Sequence, residues 1–204
     1  DEQFLRRIYL DITGRIPTAA EAELFPEFES PGKRRVLIDQ LLQSEGYVSH
    51  NFNYWADILR AKSRMNGDGA AYLLWIKDSL RQNKPYDLMV KELLGARGYA
   101  WENGSVGYYT RDRGMPLDNM AITTRIFLGT RVECAQCHNH PFDRWTMNDY
   151  YSFAAFFSQI GRKRAQDPRE VIVYNRSNGD MKHPVGGRVM EPVFLGAAKP
   201  EIKS

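Results

Sequence analysis

Cysteine is nearly absent from this chain, which has two in 204 residues and therefore cannot hold a framework of several disulfides. No apolar run approaches the roughly 20 residues of a membrane-spanning helix, so the sequence predicts no membrane span. An excess of one charge is also lacking: 28 basic residues face 25 acidic ones, and no long basic run occurs. This balance argues against a nucleic-acid partner.

Helical periodicity dominates the first 160 residues. Apolar residues recur every three or four positions in about six segments before residue 100, and again in "NMAITTRIFLG" (119–129) and "TMNDYYSFAAFFSQIG" (146–161). The last segment is expected to begin at the cap residue Thr146 and to end at Gly161. Residues 98–118 are rich in glycine and aromatic residues, and we interpret them as a long ordered loop that carries function.

The sequence changes character after residue 161. Arg162, Lys163 and Arg164 are expected to be solvent-exposed at the end of a helix. β-branched runs then flank "SNGD" (177–180), which is typical of a hairpin turn. We therefore predict a mainly α protein with a helical domain over 1–161 and a β-hairpin extension over 162–204. Because the extension has no closing element, and because the chain starts without methionine, we expect a segment or processed product of a larger protein.

One short motif concentrates the metal-binding side chains. Cys134, Cys137, His138 and His140 fall within seven positions, in the order C-x-x-C-H-x-H. C-x-x-C-H is the attachment signature of c-type haem, in which two thiols bind the porphyrin vinyl groups covalently and the histidine binds iron. The motif thus predicts one covalent haem c, with His138 as the iron ligand.

Three other interpretations of the motif stay open. A zinc site could use both cysteines and a histidine, but it lacks a second ligand pair at a distance, since His50 and His183 are isolated. A thioredoxin-like redox pair normally follows a strand, whereas a helix is predicted before this motif. A turn with two buried, purely structural thiols is the third alternative.

Four segments, in the same order along the chain, resemble the planctomycete-type cytochrome c domain family, second type. They are "FLRRIYLDITGRIPT" (4–18), "LIDQLLQSEGYVSHNFNYWADILR" (37–60), "NKPYDLMVKELL" (83–94) and "CAQCHNHPFDRWTMNDYYSFAAFF" (134–157). The resemblance covers residues 1 to about 160, with a fainter continuation through "EPVFLG". It implies an exported, periplasmic or extracellular multidomain protein of largely unknown function, in which Cys134, Cys137 and His138 match the haem signature and a further C-terminal domain follows.

The ligand on the opposite side of the iron is not specified by the motif. His50 is the first candidate, because it lies on a predicted helix beside aromatic residues. The other candidates are His183 and the methionines Met115, Met120 and Met147, and an open iron site is a further alternative. His140 follows His138 too closely to reach the other face, so we expect it to form hydrogen bonds near the haem.

Aromatic and basic residues could complete a haem pocket. An apolar wall is expected from Trp101, Tyr108, Tyr109 and Trp145. Arg111 and Arg113 could pair with the haem propionates.

These residues favour an electron carrier that acts outside the cytoplasm over an enzyme, because no acid–base pair, nucleophile triad or phosphate-binding loop occurs. A single haem needs a redox partner protein, a neighbouring haem domain or self-assembly to pass electrons on. The alternatives are a non-catalytic binding or scaffold domain of an exported multidomain protein, and a haem enzyme with an open distal site.

Overall fold

A computed structural model describes residues 1–65, 67–112, 114–167, 169–176 and 178–196. Arg113, Ser177 and the end of the predicted extension, 197–204, lie outside these residues. The α-helices, in chain order, are α1 (Glu2–Thr13), α2 (Ala19–Glu27), α3 (Lys33–Leu42), α4 (Glu45–Ile58), α5 (Gly69–Arg81), α6 (Tyr86–Leu94), α7 (Gly107–Thr110), α8 (Pro116–Phe127) and α9 (Met147–Ser158). The 3₁₀ helices are η1 (Gly104–Val106) and η2 (Glu133–Gln136), and the strands are β1 (Arg64–Met65), β2 (Gly67–Asp68), β3 (Gly98–Tyr99), β4 (Ile160–Arg164), β5 (Val171–Asn175), β6 (Met181–Lys182) and β7 (Val189–Met190).

The mainly helical prediction is confirmed, and the helices enclose two apolar clusters. The smaller cluster lies where α1 meets α3 and consists of Leu5, Tyr9, Ile12 and Leu41. The larger one joins α5, α6, α8 and α9 and includes the buried side chains of Tyr72, Ile76, Leu93, Met120 and Tyr150. Among the described helices, none is both long and apolar enough to cross a membrane.

The segment 98–118 is more regular than the predicted loop. It contains β3, η1 and α7, and α8 already begins at Pro116. The hydroxyls of Tyr108 and Thr123 lie 2.5 Å apart, and Asn119 donates from Nδ2 to the carbonyl of Tyr108 at 3.1 Å. These buried hydrogen bonds fix the segment against α8, because a buried polar group is stable only with a partner.

The predicted end of the last helix is wrong. α9 stops at Ser158, and Gly161 lies in β4, where it pairs with Tyr174 of β5. The basic residues 162–164 are therefore in a strand and not at a helix end.

The small C-terminal hairpin exists, but its turn lies elsewhere than predicted. β4 pairs with β5, and 165–170 connects them, so "SNGD" follows the hairpin instead of forming its turn. The physical reason is a tertiary contact with Ser158. Arg176 donates to the Ser158 carbonyl at 2.8 Å, and the Ser158 hydroxyl donates to the Gly179 carbonyl at 2.5 Å. These bonds return the segment to the end of α9. β5 also pairs with β3, and β6 pairs with β7.

A capping box at the start of α2 leads to a prediction for acid unfolding. Glu21 accepts a hydrogen bond from the Thr18 amide at 2.7 Å and two bonds of 2.8 Å from Arg15. The hydrogen bonds from Arg15 are the largest cause that lowers the pKa of Glu21 to about 2. Because the folded pKa is depressed, this stabilisation is complete above the ordinary carboxylate pKa and is lost as the pH falls toward 2.

We expect Glu21→Gln to lower the free energy of unfolding by about 1 kcal/mol or less at neutral pH, since the pair is partly exposed. The difference from wild type should shrink in acid, as measured by urea unfolding across that pH range. The exposed Glu23→Gln is the matched control and should show no such trend. A Glu21→Gln difference that stays constant with pH would contradict the assignment to the carboxylate charge.

Candidate functional site

The cysteine motif forms a 3₁₀ turn that presents both thiols to solvent. In a 3₁₀ helix residues three apart lie on the same side, so η2 places Cys134 and Cys137 together. The amides of Cys137 and His138 both donate to the carbonyl of Cys134, at 3.3 and 3.4 Å. Both cysteines are exposed and unpaired, whereas Ala135 between them is 0% exposed. The alternative of two buried thiols is therefore wrong.

The approach to the motif is set by the end of α8. Gly129 adopts a φ of 63°, a left-handed conformation that glycine tolerates without strain, and Val132 is buried just before the turn. Glu133, the first residue of η2, forms an ion pair with Arg125 in the last turn of α8. Burial raises the pKa of Glu133, but the hydrogen bond from Arg125, a backbone hydrogen bond and the charges of Arg125 and Arg131 together outweigh it, and the net pKa is lowered.

Two adjacent tyrosines of α9 hold the turn in place through hydrogen bonds to Gln136. Tyr151 donates from its hydroxyl to the carbonyl of Gln136 at 3.0 Å, and the Tyr150 hydroxyl donates to the side-chain oxygen of the same glutamine at 3.4 Å. Burial raises the pKa of both phenols, and Cys137 raises each of them further. Both tyrosines therefore stay protonated and remain donors. Nothing in their local sequence marks them as part of the site, although they lie on α9 directly after the motif.

The imidazole of His138 has a partner at one nitrogen and none at the other among the described residues. The side chain is exposed, and Nδ1 lies 2.7 Å from the carbonyl oxygen of Asn139. Because a carbonyl only accepts, Nδ1 carries the proton in the neutral ring. The lone pair then resides on Nε2, which is the form of histidine that binds a metal.

His140 has the opposite arrangement. Its amide donates to the carbonyl of Trp145 at 2.8 Å, which closes the loop after the motif. Its Nδ1 accepts from the amide of Phe142 at 3.3 Å, so the neutral ring carries its proton on Nε2. His140 is therefore a hydrogen-bond donor at Nε2, which suits the predicted hydrogen-bonding role better than metal ligation.

The loop from His140 to Trp145 has a buried base and an exposed tip. Trp145 is buried, the guanidinium of Arg144 covers its ring at 4.6 Å, and its Nε1 has no hydrogen-bond partner among the described residues. Phe142, in contrast, is 94% exposed. The tip therefore adds an exposed apolar side chain to the loop that directly follows the motif.

The structure places two other predicted pocket residues in the interior. Tyr109 is buried in α7, and its hydroxyl donates to the carbonyl of Leu94 at 2.5 Å. The guanidinium of Arg111 lies 3.9 Å from the ring centre of Tyr108 and donates to Asp112 at 3.0 Å. Arg111 also donates to the carbonyl of residue 59 at 2.7 Å. Their described partners are thus core groups.

The residues predicted as candidate ligands for the opposite side of a haem iron lie on different elements of the fold. His50 is exposed on α4, and its ring packs against Gly14 at the end of α1. His183 is buried, and its ring centre lies 5.4 Å from that of Tyr151, so it adjoins the residue that holds the turn. Of the methionines, Met120 is fully buried in the core and Met115 is exposed.

The remaining alternatives for the motif find little support in the geometry. Within the described ranges, no three His, Cys, Asp or Glu side chains converge in a group that could hold a metal ion, as a structural zinc site requires. The element before the motif is α8 and not a strand, so the setting of a thioredoxin-like dithiol is missing there.

Comparison with known proteins identifies a family for most of the chain. No curated protein and no solved structure matches this sequence. A family model described as "PSCyt2: Protein of unknown function (DUF1549)" matches residues 1–162, which include α1 to α9 and the whole motif. The chain therefore belongs to the PSCyt2 family, the second-type planctomycete cytochrome c domain family that its motifs resemble.

Proposed function

We propose that this chain is a c-type cytochrome domain that carries one haem through Cys134 and Cys137 and transfers electrons outside the cytoplasm. One observation carries the proposal: η2 presents two unpaired thiols on one exposed side, directly beside a histidine with a free Nε2. Covalent attachment requires both thiols to reach one porphyrin from one turn of chain.

The described residues fit such a group. Ala135 anchors the turn inward, so both sulfurs can be alkylated without unpacking the core. In the neutral ring of His138 the tautomer is set by the Asn139 carbonyl, as metal-binding histidines usually require. Phe142 supplies apolar surface on the adjoining loop, which suits an apolar ring.

In the proposed chemistry, the protein residues hold the haem and orient its iron ligand. Haem supplies a one-electron iron couple when it is bound. Tyr150 and Tyr151 keep the turn in place through Gln136, and the ion pair of Arg125 with Glu133 fixes its first residue. His50, the first candidate for the opposite face, contacts Gly14, and the proposal does not depend on it.

A partner is part of the proposal, because one haem alone cannot pass electrons on. The exposed position of the motif suits a redox protein, a neighbouring haem domain or a second copy of the chain. Attachment through thioethers also suits an exported, periplasmic or extracellular setting, in which a lost cofactor would not be replaced.

The test is expression in a periplasm that carries out covalent haem attachment. Wild-type protein is expected to be red, to keep its haem after denaturation and to gain the mass of one haem. The double variant Cys134→Ala/Cys137→Ala should fold but remain colourless, because the exposed thiols contribute little to the core. A control with an exposed residue changed elsewhere, Glu23→Gln, should keep the haem.

Colourless wild-type protein with unmodified cysteines would contradict the proposal. It would favour a binding or scaffold domain in which the motif has no cofactor. Carbon monoxide that binds the reduced protein without displacing a ligand would instead indicate an open distal site and a haem enzyme.

A further inference from the structure

A second candidate site lies in a cavity formed by α8, the end of α9 and β4. The cavity has a volume of about 190 Å³, and we call it the Asn119 cavity. Its polar lining consists of Asp112, Asn119, Arg162 and Arg176, and its apolar wall includes Phe157 and Ile160. One water needs only roughly 10–15 Å³ of such volume, so a small molecule fits.

Asn119 has an unsatisfied acceptor at this cavity. The residue is 4% exposed, and its Nδ2 donates to the carbonyl of Tyr108 at 3.1 Å and to Asp112 at 2.8 Å. Both of those partners only accept, so the amide orientation is fixed. Its Oδ1 is buried and has no partner among the described residues. Burying an acceptor without a partner costs free energy, so a bound molecule that donates a hydrogen bond to this atom would be stabilised.

Two guanidinium groups line the same cavity without a carboxylate of their own. The side chain of Arg162 forms no hydrogen bond or ion pair with the described residues, and its Nη2 lies directly over Gly114, where a side chain could not fit. Arg176 donates from Nε and Nη2 to the carbonyl of Ser158 at 2.9 and 2.8 Å, which orients it without neutralising it. Burial lowers the pKa of Arg162, and Asp112 partly offsets this.

Asp112, the acidic residue in the described part of the lining, already has partners. Asp112 accepts from Arg60 at 3.2 Å and from Arg111 at 3.0 Å, so two other cations balance its charge. The first turn of α8 also begins nearby, at Pro116, and Met115 before it provides no side-chain cap. The start of a helix is electropositive, so the cavity as a whole favours an anion.

We propose that the Asn119 cavity binds a small anion that also carries a hydrogen-bond donor, such as a hydroxycarboxylate. Arg162 and Arg176 bind the anionic group, because a guanidinium pairs with carboxylate or phosphate oxygens through two parallel bonds. The hydroxyl of the ligand donates to Oδ1 of Asn119, and Phe157 and Ile160 contact its carbon atoms. This site is independent of the proposed haem.

The test is titration of the folded chain with three probes, followed by calorimetry and by amide chemical shifts. Glycolate has the carboxylate and the donor, acetate has only the carboxylate, and inorganic phosphate has a different anionic group with a donor. We expect glycolate or phosphate to bind saturably with a Kd of about 1 mM or tighter, and acetate to bind about tenfold more weakly. Shifts should appear at Asn119 and Ile160.

Arg162→Gln should weaken that binding about tenfold or more, and Arg162→Lys should weaken it less. Arg164→Gln, an exposed arginine two positions along the same strand that does not line the cavity, is the matched control and should bind as wild type does. Circular dichroism would verify that each variant is folded. A cavity that holds only water would show no saturable response to any probe, and this result would overturn the proposal. Equal affinity for acetate and glycolate, or undiminished binding by Arg162→Gln, would overturn it as well.

Discussion

Asp112→Ala is expected to lower the free energy of unfolding by about 3–5 kcal/mol, the usual cost of removing one partner from a buried ion pair. Asp112 is 3% exposed and accepts hydrogen bonds from Arg60, Arg111 and Asn119. Its removal leaves the guanidinium of Arg111 buried with no carboxylate. The Nη2 of that arginine already has no partner among the described residues, so the loss is not compensated locally.

The charge of Arg111 would persist in the variant. In the wild type, burial lowers its pKa, but Tyr108, Tyr72 and Asp112 together outweigh that effect and hold the net pKa above its ordinary value. An arginine is not deprotonated at neutral pH, so loss of its proton does not relieve the free-energy cost of burying its charge. The remaining options are a shift of the side chain or the entry of water.

Urea unfolding followed by circular dichroism measures the effect, with the slope checked for a change in two-state behaviour. Two controls separate buried from exposed charge. Arg60→Gln should cost about 1 kcal/mol or less, because that side chain is 50% exposed. Asp143→Ala, in an exposed loop, should cost within about 0.5 kcal/mol of zero. An Asp112→Ala cost as small as that of the controls would show that water already solvates Arg111.

This cluster also illustrates what the sequence could not reveal about the site. From the sequence, Arg111 could pair with a haem propionate, because a guanidinium pairs well with a carboxylate, although an arginine in a loop is more often simply exposed. The residue lies instead at the end of a short helix, α7, and its neighbour Asp112 binds it. Whether a charged residue turns inward depends on what the fold brings around it, and local sequence carries no signal for that.

Elements with local causes were predicted well. Thr146 caps α9 by accepting from the Asp149 amide at 3.2 Å, as its position before an apolar helical run indicates. The hairpin turn was misplaced because "SNGD" is a local signal that a tertiary contact with Ser158 overrides. The end of α9 was misplaced for a related reason. Ile160 and Gly161, the last residues of the periodic segment, pair with β5 as part of β4 instead of continuing the helix.

The motif itself was predictable in composition but not in geometry. Spacing alone indicates that Cys134 and Cys137 belong together. That Ala135 is the buried anchor, and that Tyr151 holds the turn through Gln136, depends on the packing of η2 against α9. The same packing exposes both thiols, which is the property on which covalent attachment depends.

The second large effect is expected at His138, the proposed iron ligand, and it rests on the proposed loading of the protein with haem. His138→Ala should keep its haem after denaturation, since Cys134 and Cys137 still hold it, but should lose the visible spectrum of the nitrogen-ligated iron. Added imidazole should restore that spectrum, because it replaces the missing Nε2 without a covalent link. The expected change is complete rather than graded, since a ligand is removed and not merely reoriented.

His140→Ala is the matched comparison, because it removes the other imidazole of the same motif. Its Nδ1 accepts from the Phe142 amide at 3.3 Å, so its loss should cost only about 1 kcal/mol of stability and leave the spectrum unchanged. The two variants thus separate the two tautomers: in the neutral rings, the lone pair of His138 is on Nε2 because Nδ1 donates to the Asn139 carbonyl, whereas the Nε2 of His140 carries the proton. If the spectrum instead survived His138→Ala and was lost in His140→Ala, the iron ligand would be His140, and the tautomer argument would be wrong.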